Sequence, residues 1–267
     1  MHTKLLGLLL AALLVFGFAG QAMASFSAGN MIRTIYDAGT ADTEVGSNLG
    51  VTLGTSFAAD NLVGDVIAKS TFTSGTMRVS YFGYSGNWST GNDKYWVIGP
   101  ASGTYTMTGG KGIALSSAFN LADAVGLTPY YNNTYGNVTP LGGDSVVASK
   151  AWMDSYYSLF EGNGTAVGTF GSTVSPVGSA SISLAALATY GYADTALWYF
   201  DYNNSAADVN GVQVAILRTF LANADGTANY ASGEYIATEI QVVPIPGAVW
   251  LLGSGLLGLI GIRRRSA

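Results

Sequence analysis

Few side chains in this sequence are of the types that carry catalysis or hold transition metals. The chain of 267 residues contains no cysteine and one histidine, His2, which lies in a leader that we expect to be removed. The remaining chain therefore cannot build a Ser-His-Asp or Cys-His catalytic group, or a thiolate or imidazole metal site. Carboxylates are left, and two of them would suffice for glycoside hydrolysis. No spacing singles out such a pair, so we predict no enzyme activity and no cofactor.

Two loops rich in aspartate and asparagine have the oxygen ligands that calcium prefers. The first loop, DYNNSAAD, contains Asp201, Asn203, Ser205 and Asp208. It lacks the glycine at the sixth position and the glutamate at the twelfth position of an EF-hand. The second loop, NADGTANYASGE, contains Asp225 and Glu234. Both loops are explained more simply as turns between strands, because asparagine and aspartate are turn formers, so we predict no bound metal.

Aromatic residues beside asparagine form candidate sugar-binding loops. The segments are GYSGNWSTGNDKYW and TPYYNNTYGN, and the aromatic and amide residues considered are Trp88, Trp96, Trp152, Trp198, Tyr130, Tyr131, Tyr135, Asn132 and Asn133. Core packing and cross-strand aromatic pairing explain most such residues in β proteins, so we expect core packing here and keep sugar binding as the alternative.

Alternating apolar residues predict that β-strands position these side chains. Val79 and Tyr81 share one face of TMRVSYFGY, and Ile236 and Ile240 share one face of EYIATEIQVV. The segment GVQVAILRTFL is apolar on both faces, as in a central strand. Glycine accounts for 36 residues, which suits short strands joined by tight turns. Residues 25–242 are therefore expected to form a single antiparallel β-sandwich domain.

Two or three short helices are expected to interrupt the strands. One is capped by Asn120 and covers Leu121–Val125, and another is capped by Ser183, covers Leu184–Tyr190 and stops at Gly191. A third begins at Asp144 or Ser145 and runs to Phe160, because Val146, Met153, Tyr157 and Phe160 fall on one helical face.

The first 24 residues have the parts of a signal peptide. Lys4 precedes an apolar stretch, Leu5–Phe18, and Ala22-Met23-Ala24 gives the small-x-small pattern of a signal peptidase site. We expect cleavage by signal peptidase and a mature chain that begins at Ser25. The alternative is a buried or membrane-spanning N-terminal helix.

The body between leader and tail is acidic. It keeps all sixteen acidic residues but seven of the eleven basic ones, since Lys4 and three arginines lie in the terminal segments. This charge argues against nucleic acid and anionic lipid as partners.

The last residues have the composition of a membrane anchor. Pro246–Ile262 is 17 residues without a charge, close to the lower limit for a helix that spans a bilayer. Trp250 stands where an aromatic ring would lie at the outer interface, and Arg263, Arg264 and Arg265 would stay in the cytoplasm. We therefore expect one C-terminal membrane helix, with a buried core helix as the alternative.

Val243, Pro244, Ile245 and Pro246, followed by the glycine-rich span and the arginine cluster, resemble a PEP-CTERM protein-sorting signal. The likeness covers about 25 residues, and Ile245 stands where the familiar Val-Pro-Glu-Pro element has glutamate. The resemblance implies a Gram-negative bacterium that makes exopolysaccharide. It also implies recognition by an exosortase and cleavage near Pro244–Pro246.

These features together predict an exported, non-enzymatic protein of the cell surface or exopolysaccharide matrix. It would be held in the inner membrane by its C-terminal helix (residues 243–267 forming the sorting signal) until it is processed. Two alternatives remain: a carbohydrate-binding module for exopolysaccharide, and a glycoside hydrolase with a carboxylate pair. An aromatic row on an exposed face would favour the module, and two carboxylates facing each other across a cleft would favour the hydrolase.

Overall fold

The computed structural model describes residues 25–27, 29–52, 57, 61–73, 75–85, 92–99, 106–107, 127–134, 136–162, 181–203 and 209–242. The signal peptide with Ala22 and Ala24, the helix expected over Leu121–Val125, and the whole tail from Val243 to Arg265 lie outside the described residues.

Fourteen strands are present in the described part of the chain. They are β1 (Asn30–Asp37), β2 (Thr43–Thr52), β3 (Asn61–Leu62), β4 (Ile67–Ala68), β5 (Met77–Ser85), β6 (Asn92–Gly99), β7 (Thr106–Met107), β8 (Thr139–Gly142), β9 (Ser145–Ser149), β10 (Ile182–Ser183), β11 (Tyr192–Asn203), β12 (Val209–Asn210), β13 (Val212–Ala222) and β14 (Tyr235–Val242). The helical elements are a 3₁₀ turn (Lys69–Thr71), α1 (Leu127–Tyr131), a π-helix (Tyr157–Gly162) and α2 (Leu187–Tyr190).

Twelve of these strands form one antiparallel sheet in the order β3-β14-β13-β11-β6-β5-β1-β2-β9-β8, with β4 paired to β14 and β10 to β5. The mainly β, antiparallel architecture is thus confirmed, but one curled sheet stands in place of two separate ones. Irregular register near Asn30–Ile32 and at Leu197–Trp198 marks bulges, which bend strands and increase their twist. The curl brings β1 opposite β14, where Arg33 Nη1 lies 3.0 Å from Thr238 Oγ1.

Both faces of the curled sheet are buried over much of its area. The inner core, on the concave side, contains Ile35, Val79, Trp96, Leu217 and Ile236 among others. The outer core forms where the N-terminal segment, α1 and the π-helix region cover the other face, and it contains Phe26, Tyr36, Phe82, Tyr131 and Tyr156 among others. Neighbouring residues of one strand therefore belong to different cores, as Ile35 and Tyr36 do, and both are buried.

The predicted central strand GVQVAILRTFL is confirmed, since β13 lies between β14 and β11. The inward face of β14 is also as expected, with Ile236, Thr238 and Ile240 buried.

The helix expected from Asp144 or Ser145 to Phe160 is wrong at its start. Ser145–Ser149 is a strand that pairs with β2, because Val146 and Ala148 point into the outer core at a period of two. Met153, which the helical spacing placed on the buried face, is 73% exposed. Helical backbone begins only near Tyr156, as a π-helix.

The helix expected over Leu184–Tyr190 is present but shorter. It covers Leu187–Tyr190 and ends, as predicted, at Gly191, whose φ of 75° is left-handed. Ser183 Oγ accepts a hydrogen bond from Ala185 N–H at 3.2 Å, so it organises the turn before the helix and does not cap the helix itself. Among the described residues, no helix has both the length and the apolar character needed to cross a bilayer.

Candidate functional site

The first described residues follow the predicted cleavage site and are packed on the domain. Ser25 is exposed, and the following residue, Phe26, is buried against Tyr131 with ring centroids 5.1 Å apart. Asn132 holds Phe26 through two hydrogen bonds of 2.9 Å, one to its N–H and one to its carbonyl oxygen. Among the described residues, the first side chain of the core is therefore two residues beyond Ala24.

The aromatic residues considered as sugar platforms are mostly core residues, which agrees with the explanation by core packing. Tyr130, Tyr131, Trp96 and Trp198 are buried, because strand alternation and the fold of α1 turn their rings into the two cores. Trp152 is partly exposed and stacks on Tyr130 at 6.1 Å.

The asparagines of the same loop have structural partners. Asn132 binds Phe26, and the Asn133 side chain accepts a hydrogen bond from Val138 N–H at 3.1 Å. Trp88 and Tyr135 lie outside the described residues.

The second calcium candidate is an Asx turn. Asp225 Oδ1 accepts hydrogen bonds from Thr227 N–H at 2.9 Å and from Thr227 Oγ1 at 2.6 Å. Glu234 points elsewhere, 4.0 Å from Lys69 Nζ. Within the part of the chain that the structure describes, no group of three or more histidine, cysteine, aspartate or glutamate side chains is close enough to hold a metal ion. In the first loop, Asp201 and Asn203 are part of β11 and pair with Lys94 and Asn92 of β6, whereas Ser205 and Asp208 lie outside the described residues.

One arginine is fully buried in the inner core, and it joins the two halves of the curled sheet. Arg33 Nη1 donates to Thr238 Oγ1 at 3.0 Å, and Nη2 donates to Ser47 Oγ at 3.1 Å and to the carbonyl oxygen of Asp65 at 2.7 Å. Tyr81 on β5 is the register partner of Arg33 on β1, and its hydroxyl shares hydrogen bonds with Thr238 and Thr219 at 2.8 and 2.6 Å. These neutral partners hold the guanidinium, whose pKa is lowered by burial.

This set of hydrogen-bonded side chains is called the polar row. Its members are Ser145, Ser47, Arg33, Tyr81, Thr238 and Thr219, and they come from six different strands. Two polar atoms of the inner core, Arg33 Nε and Thr195 Oγ1, have no hydrogen-bond partner among the residues that the structure describes.

One carboxylate is fully buried in the outer core. Glu44 Oε1 accepts hydrogen bonds from the Tyr131 hydroxyl at 2.7 Å and from Tyr156 N–H at 2.8 Å, and Oε2 accepts one from Tyr157 N–H at 2.9 Å. Burial raises the pKa of Glu44 to about 7, although the hydrogen bonds from Tyr157, Tyr131 and Tyr156 oppose this rise. Through these hydrogen bonds, Glu44 connects α1 and the start of the π-helix to β2. The carboxylate is fully buried, so it does not face a surface at which a substrate could bind.

A third group of charges lies on the outward face of β11, β13 and β14. This Arg218 patch consists of Tyr192, Asp194, Arg218, Phe220, Tyr230 and Glu239. Arg218 donates from Nε and Nη2 to the two oxygens of Asp194 at 2.8 and 2.9 Å, and its Nη1 lies 3.7 Å from Glu239 Oε1. The hydrogen bond to Asp194 is the main reason that the pKa of Arg218 is raised.

One aromatic ring lies against this guanidinium, and two further rings pack beside it. Arg218 Cζ lies 4.3 Å from the ring centroid of Tyr192, and the ring of Tyr230 meets Tyr192 and Phe220 edge-on at 5.7 and 6.1 Å. Tyr230 is 41% exposed. The patch thus presents an exposed tyrosine beside carboxylate oxygens, an arrangement that suits stacking and hydrogen bonding with a hydroxyl-rich ligand.

The acidic pair of the patch does not have the arrangement of a glycoside hydrolase. Asp194 and Glu239 lie on either side of one guanidinium on an outward sheet face, whereas hydrolysis needs two carboxyl groups that flank a bound sugar in a cleft. Sequence reasoning missed this patch because Asp194, Arg218 and Glu239 become neighbours only through the register of three strands. It also missed Arg33 and Glu44, although a charge inside a run such as MIRTIY was a usable signal.

The chain matches no family model, and no curated protein and no solved structure shows significant similarity to it.

Proposed function

We propose that this chain is an exported, non-enzymatic protein of the cell surface or exopolysaccharide matrix, delivered through its C-terminal sorting signal. A signal peptidase would release residues 1–24, and an exosortase would recognise the tail after Pro246–Ile262 has entered the inner membrane. The acidic body would then act as a structural or binding component outside the cell.

The order of the signals in the sequence carries this proposal. A signal-peptide pattern ends at Ala24, and the Val-Pro-Ile-Pro segment, the apolar span and the arginine cluster follow Val242. Among the described residues, the buried hydrophobic side chains run from Phe26 to Ile240 and β14 ends at Val242, so none of them lies beyond either predicted cleavage site. A processing signal needs this separation, because a protease requires an extended backbone that is not paired in a sheet.

Two tail variants, expressed in a host that contains an exosortase, test the proposal. Deletion of Arg263–Arg265 removes charges that are costly to carry through the bilayer, so we expect uncleaved protein in the periplasm. Replacement of Pro244 and Pro246 by alanine lets a helix extend back from the span, so we expect membrane-bound, unprocessed protein.

Fractionation and mass spectrometry of both termini give the readout, and the parent chain should begin at Ser25. Release and trimming of both variants like the parent would refute the sorting signal, and a mature chain that retains Lys4 would refute the signal peptide.

The Arg218 patch supports a second candidate, binding of exopolysaccharide by the body. The supporting observation is that the partly exposed Tyr230 hydrogen-bonds Arg218, the same side chain that pairs with the carboxylates of Asp194 and Glu239. Tyrosine supplies a flat apolar surface for a sugar ring, and the carboxylates accept hydrogen bonds from its hydroxyl groups.

Affinity electrophoresis with the host's exopolysaccharide tests this candidate. Tyr230→Ala should weaken binding at least fivefold, whereas Trp152→Ala should not change it. Trp152 is a matched control, since it is 38% exposed against 41% for Tyr230 and lies outside the patch. Equal binding by both variants and the parent would exclude the patch as the sugar site.

A further inference from the structure

A small apolar pocket opens at one end of the inner core, where α2 meets the 3₁₀ turn. Its volume is about 170 Å³, and its lining residues are Lys69, Gly75, Met77, Leu184, Ala185, Leu187, Ala188 and Leu221. Leu184, Leu187 and Leu221 are buried and belong to the inner core, so they form the floor. Ala185, Ala188 and Gly75 are exposed and form the rim.

Lys69 supplies the charge at this pocket. Its side chain is 35% exposed, and its ammonium group lies 3.4 Å from the carbonyl oxygen of Gly233 and 4.0 Å from Glu234 Oε1. Glu234 is 78% exposed, so it can turn into solvent when another anion approaches. The ammonium group therefore has donors left for a ligand, because one lysine carries three of them.

We propose that this pocket binds a small monocarboxylate, with its apolar part on the leucine floor and its carboxylate on Lys69. The size of the pocket sets the size of the apolar part, since a closed apolar cavity of about 150 Å³ accommodates benzene. A chain of about six carbons, or one aromatic ring, would fill it. The charge of Lys69 sets the chemical class of the ligand, because a single cation on an apolar wall favours an anionic head group over a neutral or cationic one.

This site is independent of the proposed export function and of the Arg218 patch. It is formed by β5, β13, α2 and the 3₁₀ turn, and it contains no residue of the patch. The pocket is apolar and reaches buried side chains of the inner core, as small-molecule sites commonly do.

Ligand-observed saturation-transfer NMR on the full-length chain in lipid nanodiscs tests the proposal, with empty nanodiscs as the blank. The probes are hexanoate, methyl hexanoate with the same acyl chain but no charge, and hexylamine with the opposite charge. We expect hexanoate to bind at least fivefold more tightly than either of the other two probes. Methyl hexanoate also reports whether an esterified acyl chain would be accepted in place of a free acid.

Two pairs of variants locate the binding. Ala188→Trp should fill the rim and abolish binding, while Thr189→Trp, an exposed neighbour on the same helix that does not line the pocket, should leave it unchanged. Lys69→Gln should remove the preference for hexanoate over methyl hexanoate, while Lys94→Gln should preserve it. Equal binding of the three probes, or equal signals from the two tryptophan variants, would overturn the proposal.

Discussion

Glu44 is fully buried in the outer core, and three hydrogen-bond donors face its carboxylate. Two of them are the backbone N–H groups of Tyr156 and Tyr157 at the start of the π-helix, which have no partner one turn earlier in their own helix. The Glu44 carboxylate accepts the hydrogen bonds of those donors. The remaining cost is desolvation of its charge, which favours the protonated form.

The titration of Glu44 should make the folded body less stable as the pH rises. Its folded pKa of about 7 lies above the ordinary value of 4.5, so the folded state binds the proton more tightly than the unfolded state. The stabilising contribution of protonation is complete below pH 4.5 and is lost between pH 4.5 and 7, by roughly 3 kcal/mol. Urea denaturation at pH 5 and pH 8 measures this loss.

Glu44→Gln should remove most of this pH dependence, whereas Glu234→Gln, at a side chain that is 78% exposed, should retain it. A parent chain with the same unfolding free energy at both pH values would show that the folded state does not raise the pKa of Glu44.

At the scale of elements, α2 depends on the residue that ends it. Gly191 has a φ of 75°, its N–H binds the carbonyl oxygen of Leu187, and its own carbonyl oxygen accepts a hydrogen bond from Leu221 N–H at 2.8 Å. A Cβ added at Gly191 would overlap with the backbone of Tyr230. The position therefore needs glycine for its dihedral angle and also for space.

Gly191→Ala should lower the free energy of unfolding by about 3 kcal/mol or more. The left-handed conformation alone costs alanine about 1 kcal/mol, and the overlap with Tyr230 must be relieved by moving backbone. Gly50→Ala is the matched control, since Gly50 has a φ of 67° and nothing within 4 Å of an added Cβ. Thermal unfolding of the two variants separates the cost of the left-handed backbone from the cost of the overlap with Tyr230. Equal losses of stability in both variants would show that the contact with Tyr230 is not restrictive.

The predictable elements were those whose side chains alternate in a regular way. The faces of β5 and β14 follow from alternation, and Gly191 as a helix stop follows from its backbone freedom. The strand Ser145–Ser149 was mistaken for a helix because Val146, Tyr157 and Phe160 also satisfy a helical period. Its pairing with β2 decides between the two, and pairing between strands about 100 residues apart leaves no local signal.

The candidate sites also differ in whether the sequence alone could indicate them. Processing signals are local in sequence, so the segments around Ser25 and Val243–Pro246 could be proposed as such signals without a fold, and they stay a prediction. The Arg218 patch and the Lys69 pocket are assembled from residues on three or more elements, so no spacing in the sequence could indicate them. For the aromatic loops, core packing was the preferred explanation, but composition alone does not say which rings are buried.

For the whole molecule, the polar row links the halves of the curled sheet. Thr238 is its centre, since its hydroxyl accepts from Arg33 and shares a hydrogen bond with Tyr81. A charge this deeply buried stays tolerable only while its partners remain in place.

Thr238→Val should therefore destabilise the fold by about 2 to 3 kcal/mol. The valine side chain has nearly the shape of threonine, but it offers the buried guanidinium no hydrogen-bond acceptor. Thr195→Val is the control, since Thr195 is also buried on the inner face but its hydroxyl has no partner among the described residues. That substitution should be neutral or stabilising. Chemical denaturation measures both variants.

The same pair of residues can be tested for direct coupling. In a double-mutant cycle, Arg33→Met should reduce the cost of Thr238→Val by 1 kcal/mol or more, at roughly the size typical of contacting residues. Additive effects of the two substitutions would mean that the link across the core does not contribute to stability.

The link between Arg33 and Thr238 spans 205 positions of the chain, and this separation has a kinetic consequence. Strand β14 forms one wall of the inner core, so the core stays open until residues 235–242 are available. Folding is expected to be slow, because the pairings that close the sheet join distant parts of the chain. The strand that completes the core directly precedes the Val-Pro-Ile-Pro segment. During synthesis, the core could therefore close only at about the time when this segment leaves the ribosome.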